Sequence, residues 1–530
     1  MVADQHDDTS PVRRIEIVAA LSLATDMAIG QPLEFALRSC IFSVRLAEAL
    51  GFGDAEISDV YHQALLRYIG CNADTYALAG LFGNEMELRR EFARVDQARD
   101  AEVAQVIFRA LRRANAGRPF PALALGIARG LMQAKSTSVA ILAGHCEVAE
   151  RIAERLGFDD AVVRNLGQLY ERWDGKGLPK GLKGEAISPA VRVVTLAQDA
   201  ILLSEVHGTE STFAIIAGRR GGAYDPKMVD VFLPLASSLL VQIEDPPTLD
   251  HVLTLEPRPQ AMLSAEAFDE ACVSIADFID IRAPMYAGHS RAVATLAEQA
   301  ALRCGLPVSD AKALRHAGFM HDLGEVAVPM STWSKTGALS DAQQEAIRLH
   351  PYNTERILAR FDHLAPLGTI AGCHHERLDG SGYHRGARAA ALSPAARILA
   401  AAECYQTKRE ARPHRTALSA DAAANHLRRE VRAGAIDADA AAAVLDVAGH
   451  KHTGLHRQLS ADLTSREIEV LRRIAEGRSG KEIARALGIS PKTADNHTQS
   501  IYSKIRVSTR AAATLFAIEH GLLTPQRWSK

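Results

Sequence analysis

One phrase occurs twice in this chain. Residues 374–386 read HHERLDGSGYHRG, and residues 169–181 read LYERWDGKGLPKG. A shift of 205 residues places Glu171 on Glu376 and Asp174 on Asp379. It also places SPAVRVVTLAQ (188–198) on SPAARILAAAE (393–403) and HCEVAERI (145–152) on HPYNTERI (350–357). Upstream, QALLRYIG (63–70) matches AGFMHDLG (317–324) at a shift of 254. The first copy therefore carries 49 extra residues within about 72–140, mostly helical in pattern and broken by Gly-Arg-Pro. A repeat of this length means that one supersecondary plan is used twice.

A chain of 530 residues exceeds one core, so the repeat divides it into domains. Residues 1–13 read as a disordered tail, 14–245 as the first copy, 246–263 as a linker and 264–450 as the second copy. Residues 451–462 read as another linker, 463–524 as a small C-terminal domain and 525–530 as a tail. The first linker holds DPPTLDHVLTLEPRPQ, with four prolines. Abundant Ala with only 5% aromatics favours helical packing, and the expected class is all-α. ISDVYHQALLRYIG and VSDAKALRHAGFMHDLG show helical apolar spacing after a Ser-Asp start. Their glycines make the DGxGxxxG stretches loops.

A net charge of −2 requires any basic surface to be local. Seven scattered cysteines without a C-x-x-C pair read as buried free thiols in a reducing compartment. The polar start MVADQHDDTSPVRR is unlike a signal peptide, and no apolar run is long enough to span a membrane. A cytoplasmic protein is expected.

The second copy concentrates metal-capable side chains on successive elements: His289, His321, Asp322, His350, His374, His375 and Glu403. Adjacent His and Asp at a helix end can place an imidazole and a carboxylate on one ion, with the carboxylate free to bridge to another. Adjacent His374 and His375 point in different directions, so both become ligands only around two ions. Mixed imidazole and carboxylate ligation suits Fe, Mn or Zn and generates a hydroxide nucleophile near neutral pH. A lone helical histidine is more often a satisfied core or surface residue. Here the first copy is an internal control: it has Arg67-Tyr68, Leu169-Tyr170 and Gln198 at the matching places, and only His145 survives, opposite His350.

GHS (288–290), HDLGEVAVP (321–329), His350, HHERLDGSGY (374–383) and ARPHR (411–415) resemble the HD-GYP branch of the HD-domain metal-dependent phosphohydrolases. The resemblance implies a helical bundle with two or three Fe or Mn ions and cyclic di-GMP as the usual substrate. Its ligands would be the seven residues just named. Arg412 and Arg415 would meet substrate phosphate, as suits guanidinium geometry, and Arg377 and Tyr383 would also face substrate. Asp322 and Glu325 are the candidate catalytic residues. Three positions depart from the family pattern. Glu325 replaces the lysine of H-D-x-G-K, Glu403 replaces the last Asp, and His384 replaces the proline of GYP. Met285 stands where trinuclear members carry Glu, which implies two divalent ions.

The C-terminal segment is built on capping signals. Thr464 with Glu467 and Ser479 with Glu482 form S/T-x-x-E boxes, and Ser490-Pro491 is an N-cap followed by proline. The short Gly-containing turn ALGIS joins the second and third helices. On the third helix, Thr493, His497, Ile501 and Ile505 form a spacing-four stripe expected to pack inward, with Lys492, Asn496, Gln499 and Ser503 opposite. Asn and Gln can read adenine bidentately, and Lys suits phosphate. Ten Lys and Arg against six acids over 463–522 favour a polyanion. LTSREIEVL, SGKEIARALGISPKTADNH and YSKIRVSTRAAA resemble the LuxR-type helix-turn-helix, which implies four helices, double-stranded DNA as partner and a homodimer. Lys481, Lys492, Thr493, Asn496, Gln499 and Lys504 are the candidate DNA contacts.

The expected whole is two tandem HD-type helical domains followed by a LuxR-type domain. It is a DNA-binding regulator whose second copy hydrolyses or senses a phosphoester or cyclic dinucleotide. The alternative is a metal-dependent ligand sensor without turnover, which Glu325 favours because it replaces a phosphate-facing cation with an anion.

Overall fold

In the computed structural model of the chain, the described residues are 12–95, 99–117, 119–241, 248–450, 463–505 and 507–519. Most of the expected N-terminal tail, the whole 451–462 linker and the 525–530 tail lie outside them. The regular structure of the described residues is helical, with isolated bridges and no strand.

The repeat is visible element by element. Helices Phe35–Ala49 and Asp54–Leu66 correspond to His289–Arg303 and Val308–Met320 at the shift of 254. Asp160–Leu166 and the 3-10 turn Gly184–Ala186 correspond to Ala365–Ala371 and Ala389–Ala391 at the shift of 205. The 49 extra residues form helices Thr75–Phe82, Glu85–Phe92 and Asp100–Ala114 and the first part of Phe120–Arg155, with the break falling at Gly117–Pro119. Their core is Leu78, Phe82, Leu88, Val106, Ala110 and Leu111.

Two local expectations change. The Ser58-Asp59 pair does not start its helix, which begins a turn earlier at Asp54, where Glu56 accepts the Gly53 N–H at 3.1 Å. A carboxylate in the first turn competes for that role better than an interior Ser-Asp. The Pro-rich linker is not extended throughout: Thr248–Thr254 is a helix that buries Leu249 and Val252, and Tyr61 Oη donates to the Val252 carbonyl at 2.9 Å.

Contacts divide the chain into two compact units that do not follow the repeat. One comprises residues up to Arg291 with 322–368 and 412–415; the other comprises 292–321, 369–411 and 416 onward. Within the first unit, the first copy packs directly on parts of the second. Asn72 Nδ2 donates to the Phe278 carbonyl at 2.6 Å, and Tyr76 N–H donates to the Arg282 carbonyl at 3.1 Å. The buried Glu85 carboxylate accepts the Met330 N–H at 2.6 Å, and Ala79 packs with Tyr286 and Met330.

The duplicated phrase owes its persistence to one carboxylate per copy. Glu171 accepts the N–H groups of Lys180, Gly181 and Leu182, and Glu376 accepts those of Arg385 and Ala387. Both carboxylates are buried, so they satisfy loop donors that would otherwise be costly to bury. Gly177 and Gly382 lie against this anchor. A Cβ on Gly382 would stand 2.5 Å from Glu376 Cα and Arg377 N, and one on Gly177 would stand 2.5 Å from Glu171 Cα. Gly382→Ala is therefore expected to destabilise the second copy by about 1–3 kcal/mol, read as a lower urea midpoint. An unchanged midpoint would show that the loop yields freely.

Candidate metal centre and nucleic-acid interface

Three histidines of the second copy share one local device. His321 Nδ1 lies 2.7 Å from the Gly318 carbonyl, His350 Nδ1 2.6 Å from Ile347 and His374 Nδ1 2.7 Å from Ala371. Each ring therefore donates through Nδ1 to the carbonyl three residues earlier, which leaves the Nε2 lone pair for a ligand. This is the outer bond that fixes tautomer and direction in metal-binding imidazoles. All three side chains are buried.

In the first unit, Asp322 stands between two of the candidate histidines, 3.4 Å from His289 Nε2 and 3.4 Å from His350 Nε2. Single ligand atoms of Asp322, Glu325 and His350 lie within 4.8 Å of one another. In the second unit, His321 Nε2 is 3.5 Å from Glu403 Oε2. The His374 ring centroid is 4.8 Å from that of His321 and 4.2 Å from that of His375. Two atoms sharing one ion at about 2.0–2.2 Å lie roughly 3.0–3.5 Å apart, so these nitrogen–oxygen spacings fit ligation. The chain runs directly from His321 in one set to Asp322 in the other.

Asp280 and Arg282 are two residues that motif reading missed. Asp280 accepts the Ser290 N–H at 3.0 Å and its hydroxyl at 2.7 Å, which pins the start of the helix that carries His289. Burial pushes Asp280 up to about 6, against its Ser290 bonds and His289. The same clamp exists in the first copy, where Asp26 accepts the Ala36 N–H at 3.1 Å. The Asp26–Asp280 coincidence at the shift of 254 was the available signal.

Arg282 answers the charge reversal at Glu325. The guanidinium is 1% exposed, lies 3.6 Å from Glu325 and donates to the Val328 carbonyl at 3.0 Å. Burial and Asp322 push Glu325 up to about 7, opposed by His350, Arg282 and Arg412. Glu325 therefore has a buried cation beside it.

The remaining candidates are placed as follows. Arg412 stacks 4.7 Å over the Tyr286 ring and donates to the Met285 carbonyl at 2.7 Å, and Arg415 forms a backbone bridge with Arg412. Tyr383 lies 4.7 Å from His375, ring to ring, and its N–H donates to the His375 carbonyl. Arg377 donates to the Glu376 carbonyl at 2.8 Å. In the first copy, Phe35 fills the position of His289 and is 1% exposed. Six cysteines are buried, but Cys304 is exposed, which corrects the expectation for all seven.

In the C-terminal segment all three caps form. Thr464 and Ser479 close reciprocal boxes with Glu467 and Glu482, and Ser490 accepts the Thr493 N–H at 3.1 Å. Gly488 ends the second helix in the left-handed region at φ 63°. The inward stripe of helix Pro491–Lys504 differs from expectation. Ala494 and Ile501 are fully buried, whereas Thr493 is exposed. A spacing of four drifts about 40° per step, so the row that reaches the core at Ile501 starts outside it at Thr493. Lys481, Lys492, Asn496 and Gln499 are exposed. Lys504, another of the candidate DNA contacts, has its ammonium 2.8 Å from Glu467, which also accepts from Ser500 at 2.6 Å. Burial works to raise Glu467, but Lys504, Ser500 and Thr464 hold it down to about 2.

Among the described residues, no helix is long and apolar enough to cross a membrane. The HD domain family matches residues 85–228 and 274–440, and the luxR family of bacterial regulatory proteins matches 461–517. A 3'3'-cGAMP-specific phosphodiesterase of Vibrio cholerae is 28% identical over 412 residues, 77% of this chain and 89% of that protein. A transcriptional regulatory protein of Bacillus subtilis is 48% identical over 60 residues, 11% of this chain and 28% of that protein. The fold is that of a crystal structure of a Vibrio cholerae cyclic GMP-AMP-specific phosphodiesterase, with a TM-score of 0.58 and 24% identity over 84% of this chain and 99% of that one.

Proposed function

The chain belongs to the HD domain family and carries a C-terminal luxR-family segment, and from that premise we propose that it is a cytoplasmic, homodimeric transcriptional regulator with a cyclic-dinucleotide phosphodiesterase centre in its second copy. The observation that carries the reading is the trio of buried histidines locked through Nδ1 on backbone carbonyls.

His289, Asp322 and His350 would hold one divalent ion, and His321, His374, His375 and Glu403 would hold another, Fe or Mn in each case. When bound, such ions activate water and neutralise charge on the reacting phosphate. The chain's own residues supply the rest. Arg412 and Arg415 orient the phosphodiester. Asp280 fixes His289, and the Glu376-anchored loop fixes His375 and Tyr383. Glu325, paired with Arg282, keeps the pocket from carrying an unbalanced charge.

The test is hydrolysis of 3'3'-cGAMP and cyclic di-GMP by chain purified anaerobically with Fe(II) or Mn(II). The expected result is a linear dinucleotide product with metal retained. Stoichiometric metal and bound dinucleotide without product would replace the enzyme with a ligand sensor.

For the C-terminal segment, exposed Lys481, Lys492, Thr493, Asn496 and Gln499 would face DNA, and Lys504 would stay with Glu467. Lys492→Ala is expected to weaken binding to a generic duplex and to lower the salt slope by about 0.9. Lys504→Ala is expected to leave that slope unchanged while lowering the thermal midpoint of the segment. The opposite pattern in a salt titration would return Lys504 to the phosphate contacts.

A further inference from the structure

Where the second copy carries Glu325, His350 and His375, the first copy carries Cys71, His145 and Tyr170. The substitution does not leave an inert plug. Cys71 Sγ lies 3.7 Å from His145 Nδ1 and 3.2 Å from Tyr170 Oη. His145 Nε2 lies 2.7 Å from Asp74 Oδ1, and Arg89 reaches the same carboxylate oxygen at 3.2 Å. A thiol, an imidazole and an orienting carboxylate thus stand in series, which is the arrangement of an activated sulfur nucleophile.

The fold holds this series in place. Cys71 sits on the 3-10 turn Ile69–Asn72 and His145 sits in helix Phe120–Arg155. Gly70 lets them meet, since a Cβ there would fall 1.9 Å from the His145 carbonyl oxygen. A cavity of about 510 Å³ opens beside them, lined by Asp74, His145, Ala73, Ala77, Ala140 and Ile141. The second oxygen of Asp74 has no hydrogen-bond partner among the described residues, although the side chain is 10% exposed.

Charge in the cluster favours a reactive sulfur. Burial pushes the Cys71 thiol up, but His145 and Arg89 outweigh it and leave Cys71 below the ordinary thiol value. Burial lowers His145, whereas Cys71 and Asp74 raise it, to about 9. Burial pushes up the thiols of Cys40, Cys146, Cys304 and Cys404 instead.

We propose that Cys71 is a peroxide-reactive thiol, a modification site in the copy that lacks the metal ligands. The Cys71 thiolate attacks one oxygen of hydrogen peroxide, an S–O bond forms and the O–O bond breaks. The departing hydroxide takes the His145 imidazolium proton and leaves as water. Sulfur is oxidised to sulfenic acid and peroxide is reduced. Cys71 is only 5% exposed, which restricts the oxidant to this size.

The test uses the full chain loaded with Mn(II), which avoids iron-driven oxidation. After a brief peroxide pulse and catalase, the chain is unfolded in iodoacetamide and the loss of free thiol is read at each of the seven cysteines by peptide mass spectrometry. Cys71 is expected to be lost first, on the order of 10-fold faster than exposed Cys304. His145→Gln and Asp74→Asn are each expected to slow it by about 10-fold or more. Oxidation of Cys304 ahead of Cys71 would overturn the proposal. So would Cys71 oxidation that neither variant slows.

Discussion

Glu325→Lys is expected to destabilise the protein rather than to restore a phosphate-binding cation. The HD-GYP resemblance places lysine at this position, and read alone it makes the substitution look like a repair. The structure reverses that expectation, because Arg282 is 1% exposed and stands 3.6 Å from the Glu325 carboxylate. A lysine there would remove the anion and set a second buried cation against the first. Losing one partner of a buried pair costs about 3–5 kcal/mol, and the added repulsion acts in the same direction. The measurement is the thermal midpoint of the wild type, of Glu325→Lys and of Arg282→Met/Glu325→Lys. The single variant is expected to fall by roughly 5 °C or more, and the double variant to recover part of the loss. A single variant as stable as the wild type would show that Arg282 does not depend on Glu325.

The second large effect belongs to His321→Ala/Asp322→Ala. These two residues follow helix Val308–Met320, and each belongs to one candidate ligand set: His321 faces Glu403 at 3.5 Å, and Asp322 faces His289 and His350 at 3.4 Å. Removing both deletes one candidate ligand from each set. Turnover of the cyclic dinucleotide is expected to fall by roughly 1,000-fold, and bound metal should fall with it. Arg412 and Arg415 are untouched, so dinucleotide binding should weaken less than turnover. Equal rates in the variant and the wild type would remove these residues from the chemistry.

Much of the candidate site was legible because its parts are local. Ligand types are written in the residues themselves, and the unarmed first copy showed that six of the seven vary as a set. Capping boxes at Thr464 and Ser479 were readable because each closes within one helical turn. Helix starts were less legible: the Ser58-Asp59 pair lost to Glu56, a competitor only two residues away. The phase of helix Pro491–Lys504 was legible only in part: Ile501 and Ile505 are buried as expected but Thr493 is exposed, since a spacing-four stripe and a spacing of three and four diverge over three turns. Lys504 could not be assigned from its neighbours, because its partner Glu467 lies two helices upstream.

The sequence by itself determined the duplicated plan, the helical class, the asymmetric arming of the two copies and the identity of the C-terminal segment. These depend on periodicity, on hydrogen bonds that close within a few residues and on residue types. Tertiary structure alone decided that Arg282 neutralises Glu325, that Asp280 pins the start of the His289 helix and that Cys71 meets His145 and Asp74. Each joins residues from separate elements, and a buried charge or thiol takes its chemistry from whichever neighbours packing brings within a few ångströms.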